Sequence, residues 1–144
     1  MRWGTWAVFA LALGACGSTY DASGPLRTYN GEVGRQLDCL DIRVERRPGA
    51  RVTLRYHIGN RCLGPQRVDL AAVRVHGAFG TELVDLPVRD PRGELRPGTL
   101  DGRSELFEEI SYETPDPGPS SICVTLDGVV DGADGAPLCM QETT

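Results

Sequence analysis

Strict alternation of apolar and polar residues is the feature of this sequence that most restricts its fold. From Leu40 to Val44 every second residue is apolar, and the same period returns from Val52 to Ile58. A period of two places the apolar side chains on one face of an extended chain, which is the pattern of a half-buried β-strand. Because Pro48-Gly49 separates the two runs, we expect them to form an antiparallel hairpin.

Shorter apolar runs separated by turn residues continue this pattern along the chain. Val68 and Val75 are an odd number of positions apart, so a continuous strand would point their side chains to opposite faces. A bulge or a break near Ala71 is required to bury both side chains. Residues 104–112 fit either a strand or a helix, and their β-rich surroundings favour the strand. About seven short strands, with turn signals roughly every 8 to 14 residues, predict an immunoglobulin-like antiparallel β-sandwich over residues 37–141.

The N-terminus has the layout of a secretory signal peptide. Arg2 precedes an apolar run that ends at Leu13, and two small residues separate that run from Cys16. The run is shorter than the roughly 20 residues that a transmembrane helix needs. We therefore expect residues 1–15 to be a targeting segment that is removed.

The sequence Leu13-Gly14-Ala15-Cys16 resembles the lipobox of bacterial lipoproteins. The resemblance implies that the Cys16 sulfur is acylated, that a signal peptidase cuts before it, and that Cys16 begins the mature chain. Two or three acyl chains, at about 0.8 kcal/mol per buried methylene, hold a soluble domain on a bilayer. The residue after the lipidated cysteine is Gly17 and not Asp. By analogy with enteric lipoproteins, this favours the outer membrane.

Between the lipobox and the first predicted strand, residues 16–36 lack apolar periodicity and are rich in glycine, serine and threonine. We expect a flexible tether there, and a chain of about 20 such residues has an end-to-end distance of about 25 Å. Further on, Gly59-Asn60-Arg61-Cys62 and the run 90–97 resemble stretches of uncharacterised small lipoproteins. That resemblance implies no particular activity.

Four cysteines follow the lipobox, and an even number in an exported chain predicts two disulfides. Folding the last two strands onto each other sets Cys123 opposite Cys139. The first hairpin brings Cys39 near Cys62. This reasoning favours the pairs Cys39–Cys62 and Cys123–Cys139 over the two other connectivities.

The charge balance argues against a nucleic-acid partner. The whole chain has 15 basic and 20 acidic residues, and without Arg2 the mature chain has 14 and 20, a formal net charge of −6. Nucleic acids attract proteins mainly through their phosphates, which such a surface repels.

Two histidines are the candidates for a metal or catalytic site. His57 and His76 both fall on the polar parity of their strands, and their rings could share a metal with a carboxylate if the strands are neighbours. Ordinary solvated side chains are the alternative. Two surface histidines without a third fixed ligand are more often solvated than metal-bound, and the chain has no Gly-x-Ser-x-Gly nucleophile elbow of a serine hydrolase. We therefore expect no enzyme, no cofactor and no bound metal.

The connection from Asp90 to Gly98 is the candidate partner-binding loop. Its charges alternate in sign, and Pro91 and Pro97 stiffen it, which lowers the entropy lost on binding. Pairing of these charges within a self-satisfied turn is the alternative. The candidate contact residues are Asp90, Arg92, Glu94 and Arg96.

The sequence therefore predicts a non-catalytic lipoprotein of the cell envelope, held in the membrane through Cys16. Its disulfide-braced sandwich is expected to act as a binding or assembly module for an envelope protein. A metal-binding or enzymatic envelope protein that uses His57 and His76 is one alternative. A proteinase-inhibitor-like sandwich that presents the stiff loop is another.

Overall fold

The computed structural model describes residues 19–49, 51–89, 98–130 and 136–141. Within these ranges the chain is all-β, with ten strands and one 3-10 helix, Leu70–Ala72. No helix there has the length and hydropathy of a membrane span. The strands are β1 Glu32–Leu37, β2 Leu40–Arg47, β3 Val52–Asn60, β4 Gln66–Val68, β5 Arg74–Phe79, β6 Glu82–Asp85, β7 Gly98–Leu100, β8 Glu105–Tyr112, β9 Ser121–Thr125 and β10 Leu138–Gln141.

Two four-stranded antiparallel sheets enclose one core. The first sheet has the order β1-β2-β3-β8 and the second β10-β9-β5-β6, while β4 and β7 form a separate pair. Ile42 and Ile58 of the first sheet are fully buried, and so are Ile122 and Val124 of the second. All four belong to a single hydrophobic cluster. Two sheets that share one core are the arrangement of a β-sandwich.

The hairpin predicted from the alternating runs is confirmed. β2 pairs with β3 in antiparallel register, with Ile42 opposite Ile58 and Val44 opposite Tyr56. All four side chains are fully buried. The polar residues between them therefore point away from the core, as the period of two requires.

The predicted break near Ala71 and the strand over residues 104–112 are both confirmed. The 3-10 helix separates β4 from β5, so that Val68 and Val75 are both buried although they differ in parity. Glu105–Tyr112 forms β8, which pairs with β3 along its whole length.

Both predicted disulfides are confirmed. Cys123 and Cys139 are directly opposite each other in the β9–β10 register, and their Cα atoms lie 4.0 Å apart. Cys39, just before β2, is bonded to Cys62, just after β3. Each disulfide therefore closes one antiparallel hairpin, which is why the strand pattern was enough to choose the pairing.

The structure corrects the predicted boundary between the tether and the domain. Strand β1 begins at Glu32, inside the range 16–36 that was expected to be a flexible tether. Only Val33 and Leu37 of this strand are apolar, which is too few for an alternating pattern. β1 is stable because it pairs with β2 through six residues and buries Leu37 in the core.

Candidate functional site

The predicted partner-binding loop lies outside the described residues. Asp90, Arg92, Glu94 and Arg96 all fall in the range 90–97, and Cys16 likewise lies before residue 19. The structure does fix the two ends of the loop. The Arg89 amide donates to the Ser111 carbonyl at 2.9 Å, and Gly98 lies opposite Val68 in the β4–β7 pair.

The two histidines lie on different sheets. His57 is in β3 of the first sheet and His76 is in β5 of the second, so the condition for a shared metal, that their strands are neighbours, is not met. Each ring has a carboxylate partner of its own, Glu105 for His57 and Asp85 for His76. Over the described ranges, no group of three or more His, Cys, Asp or Glu residues is placed to hold a metal ion.

The outer face of the first sheet carries a cluster of charged and aromatic side chains. Residues of β2, β3 and β8 that point away from the core form rows across the strands. In one row Arg43 lies beside His57, and His57 lies beside Phe107. In the next row Arg55 lies between Glu45 and Glu109.

Three of these side chains, Arg55, His57 and Phe107, form what we call the outer-sheet platform. The His57 and Phe107 rings are stacked, with centroids 4.1 Å apart and planes 9° from parallel. The Arg55 guanidinium carbon lies 4.9 Å from the Phe107 ring centroid, within the range of a cation–π contact. Phe107 nevertheless remains 48 % exposed. The platform therefore offers an accessible aromatic ring flanked by a cation and an imidazole.

His57 is held in place by contacts on several sides. Its Nε2 lies 2.9 Å from a carboxylate oxygen of Glu105, and the Tyr20 ring meets it edge-on with centroids 6.0 Å apart. Together with the Phe107 stack, these contacts fix the ring orientation. A side chain fixed in this way loses little entropy when a partner binds.

The chain before β1 lies across this same outer face. Tyr20 covers Gly59, where an added Cβ would lie 2.1 Å from the Tyr20 Cζ. Leu26 and Thr28 cover Gly34, where an added Cβ would lie 2.9 Å from the Thr28 Cγ2. Glycine inside a strand often marks a place where another part of the chain approaches closely. These two glycines create the space that the N-terminal segment occupies.

Four side chains, which we call the N-terminal clasp, hold this segment on the sheet: Tyr20, Asp41, Arg43 and Arg61. The Tyr20 hydroxyl donates to the Asp41 Oδ2 at 2.6 Å, and the Arg61 Nε donates to the same oxygen at 2.7 Å. The Arg43 Nη1 donates to the Tyr20 hydroxyl at 3.2 Å. Each member therefore contacts at least one other member.

Backbone atoms of the segment are held by the same arginines. The Arg61 Nη1 donates to the Gly24 carbonyl, and the Arg43 Nε donates to the Arg27 carbonyl at 2.8 Å. The Tyr20 amide donates to the Arg103 carbonyl at 2.7 Å. The segment is thus attached to the body from residue 20 to residue 27.

Asp41 is the buried charge of the clasp. It is 0 % exposed, and a carboxylate removed from water must be paired to be tolerated. Arg61 supplies the opposite charge, while the second oxygen, Oδ1, has no hydrogen-bond partner among the described residues. Burial, followed by the hydrogen bond to Asp41, raises the pKa of Tyr20. The hydroxyl therefore stays protonated and continues to donate.

An open cleft of about 450 Å³ lies between the N-terminal segment and the sheet. Pro25, Arg27 and Tyr29 line it from the segment. Arg43 and His57 line it from the sheet, and both also line the surface next to the platform. The cleft and the platform therefore form one continuous surface of mixed charge with accessible aromatic groups.

Sequence reasoning missed Tyr20, Asp41 and Arg61. Asp41 has the parity of a solvated residue, and Tyr20 lies in a stretch without periodicity. The available signal was the pair of glycines, Gly34 and Gly59, at outward positions. The strand that contains Gly59 continues through Asn60, beyond the alternating run that ends at Ile58.

Comparisons with protein-family models, with curated proteins and with solved structures find no match to this chain.

Proposed function

We propose that this protein is a lipoprotein of the cell envelope, anchored in the outer membrane through Cys16, and that its sandwich binds an envelope protein without catalysing a reaction. The observation that carries the binding part is the outer-sheet platform. Its aromatic ring stays accessible although the neighbouring His57 and Arg55 hold it in one place. The lipobox resemblance carries the anchoring part.

The composition of the platform favours a protein partner. Aromatic and arginine side chains dominate the binding energy of protein interfaces, particularly where they are rigid. Glu45 and Glu109 lie on either side of Arg55, so the surface has no single sign of charge. A mixed polar rim around an aromatic centre is the usual anatomy of a protein–protein contact.

The experiment places a photo-crosslinking amino acid at position 107 in cells that make the full chain. We expect a discrete crosslinked adduct when intact envelopes are irradiated, because Phe107 is at the centre of the proposed contact. The matched control is position 83, since Leu83 is 70 % exposed but lies on β6 of the other sheet. An adduct at position 83 and none at position 107, or none at either, would exclude the platform as the binding surface.

That the loop from Asp90 to Gly98 contacts the partner stays a prediction. Its first end lies beside β8, through the bond between Arg89 and Ser111, and β8 also carries Phe107. The described start of the loop therefore lies beside the strand that carries Phe107. Replacing residues 90–97 in the crosslinking strain tests the loop separately, because an unchanged adduct would assign the contact to the platform alone.

We also propose that the sandwich is immunoglobulin-like. The order β10-β9-β5-β6 corresponds to the immunoglobulin order G-F-C-C′, and β2-β3-β8 corresponds to A-B-E. The chain differs from antibody domains because its disulfides join neighbouring strands rather than the two sheets. The extra strand β1 lies outside β2.

A further inference from the structure

The attachment of Tyr20 sets how far the body can lie from an acylated Cys16. The clasp fixes the chain at residue 20, through the Tyr20 hydroxyl on Asp41 and the Tyr20 amide on Arg103. Only four residue steps separate Cys16 from Tyr20, and four steps span at most about 14 Å. A flexible tether reaching to residue 36 would have allowed about 25 Å. The anchored body is therefore held close to the lipid, and the end of the body where Tyr20 is attached lies nearest to it.

That end of the body is the loop that follows β3. Arg103 connects it to Tyr20, because the Arg103 carbonyl accepts from Tyr20 at 2.7 Å while its amide donates to the Cys62 carbonyl at 2.9 Å. Leu63 is the next residue, and its side chain is 84 % exposed. An isolated exposed leucine is unremarkable in itself. Leu63 differs because it lies beside the point where the anchored chain joins the body, at Tyr20.

The loop presents Leu63 rigidly. The fully buried Asn60 accepts from the Cys62 amide at 2.9 Å and donates to the Gly64 carbonyl at 3.0 Å. The disulfide to Cys39 holds Cys62 itself. A Cβ added at Gly102 would lie 1.9 Å from the Leu63 carbonyl oxygen, so the backbone is also packed from that side. These contacts hold the backbone of the loop in place on both sides of Leu63.

The charges around the loop are balanced locally. Arg61 is paired with Asp41, and Arg103 lies 3.9 Å from a carboxylate oxygen of Asp21. The loop therefore offers an apolar contact rather than a basic one. A phospholipid surface takes up a leucine side chain by removing its apolar area from water.

We propose that the Leu63 loop is seated in the phospholipid surface in which Cys16 is anchored, so that the sandwich has a fixed orientation on the membrane. This inference rests on the proposed acylation of Cys16. In this orientation the N-terminal clasp lies at the lipid, and the outer-sheet platform lies along the side of the body. The platform would then meet partners that lie on the same membrane.

The experiment uses tryptophan fluorescence. Both tryptophans of the chain, Trp3 and Trp6, precede Cys16, so the mature chain contains none. The mature acylated chain carrying Leu63→Trp, beginning at Cys16, is purified and reconstituted into phosphatidylethanolamine–phosphatidylglycerol vesicles with brominated acyl chains. We expect the emission to shift to the blue and to be quenched. The control, Leu83→Trp, has the same side chain on β6 and is expected to stay unquenched.

A second pair of variants tests whether contact of the Leu63 loop with lipid depends on the attachment of Tyr20 to the body. Tyr20→Ala, added to Leu63→Trp, removes the hydroxyl contact with Asp41 and the ring over Gly59, so the chain nearest Cys16 is held less firmly and the quenching is expected to fall. Tyr29→Ala is the control, because Tyr29 is an exposed tyrosine of the same segment and lies outside the clasp. Urea unfolding of each variant verifies that the body is still folded.

Three results would overturn the inference, and they can be told apart. If the purified mature chain carries no acyl group by mass, the proposed anchoring fails and the seating fails with it. If the chain is acylated but Trp at position 63 is quenched no more than Trp at position 83, only the seating fails. A blue shift in the purified vesicles without quenching by brominated lipid would place the side chain at position 63 against protein rather than lipid.

Discussion

At Gly59 the sheet lacks a side chain, and the ring of Tyr20 occupies the space that this leaves. The same tyrosine donates to Asp41, a fully buried carboxylate, and Arg61 donates to the same carboxylate oxygen. One outward glycine, one tyrosine and one buried ion pair thus convert a stretch without periodicity into an ordered part of the body. The segment is stabilised by the close contact of these side chains and not by its own amino-acid composition.

Gly59→Ala tests this arrangement directly. The added methyl group would overlap the Tyr20 ring, so we expect Tyr20 to leave the sheet and Asp41 to lose one of its two partners. The free energy of unfolding in urea is expected to fall by about 2 to 4 kcal/mol, from lost aromatic burial and a weakened buried pair. The control is Gly64→Ala, where an added Cβ meets nothing within 4 Å. Equal unfolding free energies for the two variants would contradict the placement of Tyr20.

The residues of the site could not have been predicted from the sequence as a site. His57, Phe107 and Arg55 have the same outward parity as any solvated residue of a half-buried strand. Which of them stack depends on the register of β3 against β8, a long-range pairing that local periodicity does not determine. Asp41 differs from its neighbours only because Tyr20 covers it, and that contact also spans many residues.

At the scale of the strands, apolar content distinguishes the strands that the sequence predicts from those that it does not. β2 and β3 alternate over their whole length, and the turn residues between them fixed the hairpin and the disulfide at its open end. β1 and β7 contain few apolar residues and exist because a neighbouring strand completes their hydrogen bonds. Pairing of this kind leaves little trace in a single sequence.

Strands β3 and β8 are also joined inside the core by two tyrosines. The hydroxyl groups of Tyr56 and Tyr112 lie 2.6 Å apart, and both side chains are buried. Burial raises the pKa of Tyr112 to about 12, and it raises the pKa of Tyr56 further. Both groups are therefore neutral in the folded chain well beyond the pH at which an exposed tyrosine ionises.

Alkaline pH is expected to unfold the protein through this pair. A tyrosine whose pKa is higher in the folded than in the unfolded chain stabilises the fold fully below the unfolded value of 10.0, and this contribution is lost as the pH rises through the folded value. For Tyr112 the loss amounts to about 3 kcal/mol between pH 10 and 12. Urea unfolding at pH 9, 10, 11 and 12 measures it.

The control is the double variant Tyr56→Phe and Tyr112→Phe. It keeps both rings but removes the two groups that ionise, so its stability should fall much less over the same range of pH. A parallel fall in the wild type and the double variant would show that the hydroxyl pair is not the cause.

At the scale of the whole molecule, the body and the proposed anchor at Cys16 would act as one unit. A sandwich closed by two disulfides supplies a rigid body, and the clasp leaves only a few residues between that body and Cys16. The fold class and the disulfides followed from alternation and cysteine spacing. The short connection did not, because glycine- and serine-rich composition also fits a segment that folds onto an existing sheet. We infer a binding module whose position above the lipid is set by its structure rather than by a flexible linker.

Acylation of Cys16 is the claim on which this picture depends, and metabolic labelling with radioactive palmitate measures it most directly. Cells producing the full chain or its Cys16→Ser variant are labelled, and the protein is isolated under denaturing conditions. We predict label in the wild type and none in Cys16→Ser. Absence of label from the wild type, or equal label in both proteins, would contradict the account.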